Sequence, residues 1–220
     1  MEKVIFLDRD GTLNEEVNYL HRKEDLKLLP GVTEALKKLR EAGYKLIVIT
    51  NQAGVARGYY QEADVQELHQ YMNRLLKEQG AGIDAFFYCP HHPEHGIGVY
   101  KKACHCRKPE TGMFEMAQQM FEIDRSASWM IGDKLIDVEA GRRYGVSTVL
   151  VGTGYGAEER RKAEELSQCG AGECRKRETV AQETRQEKPL YDIYAETLED
   201  AAKEILRAEA DRGALSADNR

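Results

Sequence analysis

The densest group of potentially reactive side chains is the DRDGT segment at residues 8–12, which places two carboxylates two positions apart. A third carboxylate, Asp133, and a hydroxyl residue, Thr50, each lie at the end of another apolar run. Neighbouring carboxylates resist ionising together unless a cation neutralises them, and Mg²⁺ binds carboxylates together with substrate phosphate oxygens. One aspartate can then form an acyl-phosphate, and a second can move the protons. The set therefore suits phosphoryl transfer.

Two further residues, Asn51 and Lys108, extend this set. Thr50, Asn51 and Lys108 would hold the phosphoryl oxygens while charge redistributes between them. The role of Asp137 stays open between a carboxylate on a helix face, a partner of the reactive groups and a metal ligand. A lone aspartate after a strand is as readily a polar turn, so the prediction depends on all these residues occurring together.

A second group of possible ligands is the run of cysteines and histidines at residues 89–106. Cys89 and His91 are followed, after a gap, by Cys104 and Cys106, which makes a Cys₃His set suited to a closed, tetrahedral Zn²⁺ site. Three other histidines remain possible ligands by composition: His92, His95 and His105. Thiolates in such a site are not nucleophiles, so we do not expect cysteine catalysis.

The elements that position these groups are short apolar runs separated by amphipathic stretches. Uninterrupted apolar runs are typical of strands buried on both faces of a parallel sheet. They occur at residues 4–7, 46–49, 85–88, 129–131 and 148–151. Helical spacing between them predicts an α/β fold with a doubly wound, Rossmann-like parallel sheet. Methionines at helical spacing, among them Met113, Met116 and Met120, are expected to fill the core.

We expect a single domain over residues 1–220. It is interrupted by a stretch at residues 157–190 that is rich in charges of both signs and poor in large apolar side chains. Cys169 and Cys174 lie in this charged insertion without histidine partners, which favours free thiols. The role of the insertion stays open.

Charge and hydropathy exclude several classes of protein. The chain has 32 Lys and Arg against 38 Asp and Glu, a net charge of −6, which argues against nucleic acid as a partner. No apolar run approaches the roughly 20 residues that span a bilayer, and the first residues lack a secretory signal. We therefore expect a cytoplasmic protein without membrane association, and a monomer.

The motifs resemble, in order, the four motifs of the haloacid dehalogenase-like phosphatases: DRDGT at 8–12, ITNQ at 49–52, RKP at 107–109 and GDK at 132–134. The resemblance implies that Asp8 is the nucleophile and Asp10 the general acid and base. It also implies a Mg²⁺ site formed by Asp8, Asp133 and the backbone carbonyl of Asp10.

The segments CPHHPE at 89–94 and CHCRKP at 104–109 are similar to the branch of that family that removes the 7-phosphate of heptose 1,7-bisphosphates. The resemblance implies zinc at Cys89, His91, Cys104 and Cys106, in a loop that replaces a mobile cap domain. It further implies that a set of polar residues binds a sugar phosphate: Asn18, Tyr19, Thr50, Asn51, Gln52, Arg107, Lys108 and Lys134. Arg57 could line the same pocket, but it could equally be a solvated arginine in a loop.

Two alternatives to a heptose bisphosphate phosphatase remain at this point. The same chemistry could act on histidinol phosphate or on another small phosphate monoester. A zinc-stabilised interaction module without turnover would require the ordered acidic motifs to be incidental.

Overall fold

The protein is built around a six-stranded sheet in which every neighbouring pair of strands is parallel. The structure is a computed structural model and describes residues 1–170 and 190–217. The spatial order of the strands is β3-β2-β1-β4-β5-β6. In chain order they are β1 (Val4–Leu7), β2 (Lys45–Asn51), β3 (Ala85–Cys89), β4 (Trp129–Gly132), β5 (Ser147–Val151) and β6 (Ile193–Ala195). The predicted α/β fold with a parallel, doubly wound sheet is confirmed.

Helices cover both faces of the sheet. They are α1 (Val32–Glu41), α2 (Ala53–Ala56), α3 (Glu62–Glu78), α4 (Gly112–Gln118), α5 (Leu135–Tyr144), α6 (Gly156–Gly170) and α7 (Leu198–Ala217). Apolar side chains of α1, α3 and α7 share one core cluster, and those of α4 and α5 share the other. The sheet is therefore sandwiched between two helical layers, as the run of apolar strands requires.

Strand β1 shows why the apolar runs are uninterrupted. Successive side chains of a strand point to opposite faces of the sheet. Ile5 and Leu7 lie in the cluster under α1 and α7, whereas Val4 and Phe6 lie in the cluster under α4 and α5. All four are fully buried, so the central strand has no solvent-facing side that would call for polar residues.

The prediction that the methionines fill the core is wrong for two residues. Met113 is fully buried, but Met116 is 42% exposed and Met120 is 67% exposed. Helix α4 ends at Gln118, so Met120 lies beyond the helix. Within the helix, Met113, Phe114 and Ala117 form the face that packs on the sheet, which leaves Met116 on the outward side.

The charged insertion predicted for residues 157–190 begins within α6. Residues 171–189 lie outside the described part of the chain, and so do the side chains on which the free-thiol prediction for Cys169 and Cys174 depends. Within the residues that the structure describes, no helix combines the length and hydropathy needed to cross a bilayer.

The order of the strands places one crevice at the centre of the sheet. The chain winds outward from β1 to β2 and β3 on one side, and from β4 to β5 and β6 on the other. In open sheets of this kind, ligands bind beyond the carboxyl ends of the strands at the point where the winding reverses. The ends of β1, β2 and β4 meet there.

Candidate active site

A cavity of about 310 Å³ lies beyond the carboxyl ends of β1, β2 and β4. Its lining includes every residue predicted to act on or bind the substrate: Asp8, Asp10, Asn18, Tyr19, Thr50, Asn51, Gln52, Arg107, Lys108 and Lys134. These residues come from five separate stretches of the chain. They converge because parallel strands end at the same edge of a sheet.

Lys108 is the buried cation of the cavity. Its Nζ lies 2.9 Å from Asp8 Oδ1 and 2.7 Å from Asp137 Oδ1, and it donates to the carbonyl oxygen of Ile49 at 2.8 Å. Burial opposes the charge of the ammonium, but the carboxylates of Asp137 and Asp8 outweigh burial and raise the pKa of Lys108. The lysine is therefore held charged beside the predicted nucleophile.

Asn51 positions the segment that carries Lys108. Its side-chain Nδ2 donates to the Lys108 carbonyl at 3.1 Å, and its Oδ1 accepts from the Lys108 backbone N–H at 3.0 Å. This reciprocal pair connects the end of β2 to the loop before α4. The predicted phosphoryl-binding residues Asn51 and Lys108 are thus structurally coupled.

Three buried carboxylates lie close together beside Lys108. One ligand oxygen from each of Asp8, Asp133 and Asp137 lies within 4.8 Å of the other two. Burial, and then the charges of Asp8 and Asp137, raise the pKa of Asp133, and burial likewise raises the pKa of Asp137 despite Lys108. Asp133 Oδ1 is buried without a hydrogen-bond partner among the described residues. An orphaned carboxylate oxygen among like charges fits a hard divalent cation such as Mg²⁺.

Close backbone packing around Asp133 explains two glycines of the site. Gly11 and Gly154 both have positive φ, of 80° and 57°, and a Cβ on either would collide with the Asp133 carboxylate. The backbone N–H of Tyr155 donates to Asp133 Oδ2 at 2.9 Å. The glycine of the DRDGT segment is therefore needed so that the first and fourth motifs can approach each other.

Asp137 has two contacts that narrow its role. Its Oδ2 accepts from the backbone N–H of Lys134 at 3.1 Å, which caps the first turn of α5, and its Oδ1 faces Lys108. The side chain is fully buried, so it is not a solvated carboxylate on a helix face. These contacts make it a partner of Lys108 that also lies within reach of the cation site.

The Asp10 carboxylate is surrounded by donors. Arg9, Asn14 and Gln52 together supply hydrogen bonds to both of its oxygens. Burial alone would raise the pKa of Asp10, but the Arg9 charge and these hydrogen bonds outweigh burial and lower it. Sequence reasoning did not single out Arg9 or Asn14, although Arg9 lies between the two aspartates of the motif.

Lys134 lies on the other side of the cavity and has acidic and aromatic neighbours. Its Nζ is 3.3 Å from Glu16 Oε2 and 4.6 Å from the centroid of the Tyr155 ring. Burial opposes its charge, but Asp133 and the other carboxylates raise its pKa. Glu16 and Tyr155 line the cavity and were missed from the sequence. Tyr155 follows β5, so the rule of strand ends could have found it.

The cysteines and histidine of the loop after β3 form a second cluster. One atom from each of Cys89, His91, Cys104 and Cys106 lies within 4.8 Å of the other three. The sulfur atoms of Cys104 and Cys106 are 2.9 Å apart, and His91 Nδ1 is 3.6 Å from Cys89 Sγ. The three thiols are free of disulfides. Three sulfur donors and one imidazole at this separation fit a tetrahedral Zn²⁺ site.

The structure also separates His91 from the histidines that composition left open. His105 Nε2 lies 3.0 Å from both carboxylate oxygens of Glu115, on the outside of the loop. His92 Nδ1 accepts from the backbone N–H groups of Glu94 and His95. Neither His92, His95 nor His105 belongs to the cluster within the described chain.

The cysteine and histidine loop also reaches the cavity. Arg107 directly follows Cys106, lines the cavity and donates from Nη1 to the carbonyl oxygen of His91 at 3.2 Å. Its guanidinium is therefore fixed by the same loop that carries the Cys₃His set.

Comparisons with known proteins agree with this geometry. The model of haloacid dehalogenase-like hydrolases matches residues 5–78, and a second model of HAD-like hydrolases matches residues 105–169. The chain is 48% identical, over 70% of its length and 85% of the relative's, to D-glycero-beta-D-manno-heptose-1,7-bisphosphate 7-phosphatase of Haemophilus ducreyi. It is 47% identical, over 70% and 84%, to the D-glycero-alpha-D-manno-heptose-1,7-bisphosphate 7-phosphatase of Photorhabdus laumondii.

Among solved structures, the chain is similar to D,D-heptose 1,7-bisphosphate phosphatase from B. bronchiseptica complexed with magnesium and phosphate. The TM-score is 0.72 with 28% sequence identity, over 94% of this chain and 99% of that one.

Proposed function

Because the chain belongs to the haloacid dehalogenase-like phosphatases, in the branch of the heptose-1,7-bisphosphate 7-phosphatases, we propose that it removes the 7-phosphate of D-glycero-D-manno-heptose 1,7-bisphosphate. The observation that carries the proposal is one cavity in which the Asp8 and Lys108 pair, Asp10 and Arg107 all meet. Membership of a phosphatase family leaves the alternative of an interaction module without support. The product would serve the synthesis of nucleotide-activated heptose.

The first step is attack by Asp8. A carboxylate oxygen of Asp8 bonds to phosphorus, the bond from phosphorus to the sugar oxygen breaks, and its electron pair stays on that oxygen. Lys108 and Thr50 stabilise the charge on the transferring oxygens. The product of the step is an acyl-phosphate on Asp8.

Asp10 handles the protons of both steps. It gives a proton to the departing sugar oxygen, and then takes one from the water that attacks the phosphorus of the acyl-phosphate. The Asp8 carboxylate leaves with the electron pair. A phosphate dianion arriving beside Asp10 favours its protonated form, because a nearby like charge opposes ionisation.

The carboxylates of Asp8 and Asp133 and the carbonyl oxygen of Asp10 would hold Mg²⁺. When bound, the cation offsets the repulsion among the buried carboxylates and the charge of the phosphoryl group. The orphaned Asp133 Oδ1 supports this assignment. Zn²⁺ would bind to the Cys₃His set, where it would have a structural role.

A second anion site at the mouth of the cavity supports a bisphosphate substrate. Burial is the main cause that lowers the pKa of Arg107, and the charge of Arg57 lowers it further. Arg57 Nε is buried without a hydrogen-bond partner in the described chain, and the guanidinium carbon lies 5.8 Å from the centroid of the Tyr19 ring. A pair of guanidinium groups, of which Arg107 lines the cavity, suits a phosphate, because the planar fork of a guanidinium matches its oxygens.

Histidinol phosphate is the alternative substrate, and it has no second phosphate for this pair. The test is kcat/KM on one preparation for both anomers of the heptose bisphosphate and for histidinol phosphate. We expect at least a tenfold preference for a bisphosphate. Equal or faster turnover of histidinol phosphate would contradict the proposal.

A variant sharpens the same experiment. Arg107→Ala should raise KM for the bisphosphate about 10- to 100-fold, which corresponds to the loss of one charge-assisted contact with a phosphate. KM for p-nitrophenyl phosphate should stay within about threefold of the wild-type value. Arg74→Ala is the matched control, because Arg74 is exposed and does not line the cavity. An equal loss on both substrates would remove Arg107 from recognition of the remote phosphate.

A further inference from the structure

Arg9 is a fully buried arginine that touches the acid and base of the site without reaching the cavity. Its side chain has no exposed surface, whereas the neighbouring Asp10 side chain is 16% exposed. Asp10 lines the cavity and Arg9 does not. Arg9 therefore cannot bind substrate directly. It can influence the reaction only through its contacts that line the cavity, which are Asp10 and, at 3.3 Å from Arg9 Nη2, Gln52 Oε1.

The contacts of Arg9 fix the plane of the Asp10 carboxylate. Nε and Nη2 approach Asp10 Oδ1 at 3.1 and 2.9 Å, and Nη2 also lies 2.7 Å from Oδ2. Oδ1 accepts a third hydrogen bond, from Asn14 Nδ2 at 3.0 Å. A carboxyl group held from one side by a planar fork has little freedom to rotate.

The two oxygens of Asp10 are not equivalent. Gln52 Nε2 donates at 3.0 Å both to Asp10 Oδ2 and to Thr50 Oγ1, so Oδ2 lies on the side of the phosphoryl-binding hydroxyl. Oδ1 accepts from three donors, whereas Oδ2 accepts from two, Arg9 Nη2 and Gln52 Nε2. This asymmetry leaves Oδ2 as the oxygen that exchanges a proton with the substrate.

Arg9 is itself anchored from behind by His69 of α3. Arg9 Nη1 lies 3.2 Å from His69 Nε2, and an arginine can only donate, so this nitrogen accepts and the imidazole is neutral. The His69 ring is buried and stacks on Phe86 with centroids 4.7 Å apart. A rigid aromatic pair therefore holds the far end of the guanidinium.

We infer that Arg9, anchored by His69, is a positioning residue that aims Asp10 Oδ2 at the leaving oxygen. The inference rests on the proposed function, in which Asp10 is the general acid. If the aim is lost, the sugar oxygen must leave without a well-placed proton donor. A leaving group that is stable as an anion, such as nitrophenolate, does not need that proton.

The experiment compares kcat/KM for phenyl phosphate and p-nitrophenyl phosphate in full-length protein with saturating Mg²⁺. This parameter covers the steps up to cleavage of the bond to the leaving group, and neither substrate depends on heptose recognition. Arg9→Lys keeps the charge but loses the planar fork. We expect it to lower kcat/KM for phenyl phosphate at least tenfold more than for p-nitrophenyl phosphate.

The anchor is tested by a matched pair. His69→Phe keeps an aromatic ring against Phe86 but removes the acceptor, and should show the same selective loss at about three- to tenfold. His69→Gln supplies an amide oxygen as acceptor and should restore at least half of that selectivity. If Arg9→Lys does not fold, the comparison of His69→Phe with His69→Gln still tests whether Arg9 positions Asp10. An equal loss on both substrates in the variants that fold, or no difference between His69→Phe and His69→Gln, would overturn the inference.

Asp10→Asn, measured in parallel, separates this inference from the proposed function. If Asp10→Asn shows no selective loss on phenyl phosphate, the role of Asp10 as general acid fails, and the role of Arg9 fails with it. If Asp10→Asn shows the selective loss and neither Arg9→Lys nor His69→Phe does, only the positioning role is wrong.

Discussion

The two candidate metal sites of this protein are built in opposite ways. The carboxylates of Asp8, Asp133 and Asp137 are buried at the ends of core strands or in the first turn of a helix, and the surrounding packing holds them together despite their mutual repulsion. The Cys₃His cluster combines Cys89, the buried last residue of β3, with three partly exposed residues of the loop that follows: His91, Cys104 and Cys106.

At the first site the fold holds the metal ligands in place, whereas at the second site a bound metal would hold the chain in place. At the carboxylate site the fold imposes a costly arrangement of like charges, which Lys108 offsets in part and a bound divalent cation would relieve further. At the second site a bound metal would cross-link residues of which three are only partly buried. Substitutions in the first site should therefore affect turnover, and those in the second should affect stability.

The largest effect is expected for Asp8→Asn. An amide is a poor nucleophile, so kcat should fall at least about 10³-fold, whereas the thermal unfolding midpoint should stay within a few degrees. The measurement is phosphate release together with a thermal unfolding scan on the same sample. Full turnover in this variant would refute the covalent mechanism, and a collapse of stability would break the contrast between the sites.

Cys104→Ala should have the next largest effect, on stability. We expect zinc content to fall from about one per chain, and the free energy of unfolding to drop by about 2–4 kcal/mol, because a tetrahedral site loses one of its four ligands. Metal analysis and urea unfolding measure both. His92→Ala is the matched control, since His92 lies in the same loop outside the cluster. If the control lost zinc equally, the assignment of His91 would be wrong.

The smallest effect concerns His69, which is buried beside Arg9. Burial, and then the Arg9 charge, lower the pKa of His69 well below 6.5 in the folded protein. His69 therefore binds a proton more readily in the unfolded chain than in the folded protein. Its contribution to the free energy of unfolding is complete well above pH 6.5 and is lost as the pH falls below that value. At pH 5.5 the loss is at most about 1.4 kcal/mol.

Urea unfolding at pH 7.5 and 5.5 tests this effect. The wild type should lose more stability between these two pH values than His69→Phe, by up to about 1.4 kcal/mol. His95→Phe replaces an exposed histidine and should behave as the wild type does. Equal pH dependence in the wild type and His69→Phe would show that His69 is not held neutral.

The sequence predicted the parallel sheet and the residues of the cavity for one physical reason. Apolar runs mark buried strands, and parallel strands bring the residues at their carboxyl ends to one edge, so Asp8, Thr50 and Asp133 could be placed together without coordinates. Strand β6 escaped notice because three residues are too short to show a pattern.

Contacts that depend on side-chain direction could not be predicted in the same way. Spacing alone did not choose His91 over His92, because both lie in one loop and only the backbone path decides which ring faces the sulfur atoms. Likewise, Arg9 and His69 are 60 residues apart, and nothing in the local pattern of α3 indicates their contact. Met120 was misplaced because the helical period does not reveal where α4 ends, and Met116 because it lies on the outward side of that helix.

The central claim is that this site hydrolyses a primary phosphate monoester while the mouth of the cavity holds a second phosphate unreacted. Phosphorus NMR of the heptose 1,7-bisphosphate, incubated with the protein and Mg²⁺, tests it most directly. The 7-phosphate signal should convert to inorganic phosphate while the 1-phosphate signal persists. Loss of the 1-phosphate, or no release of either group, would contradict it.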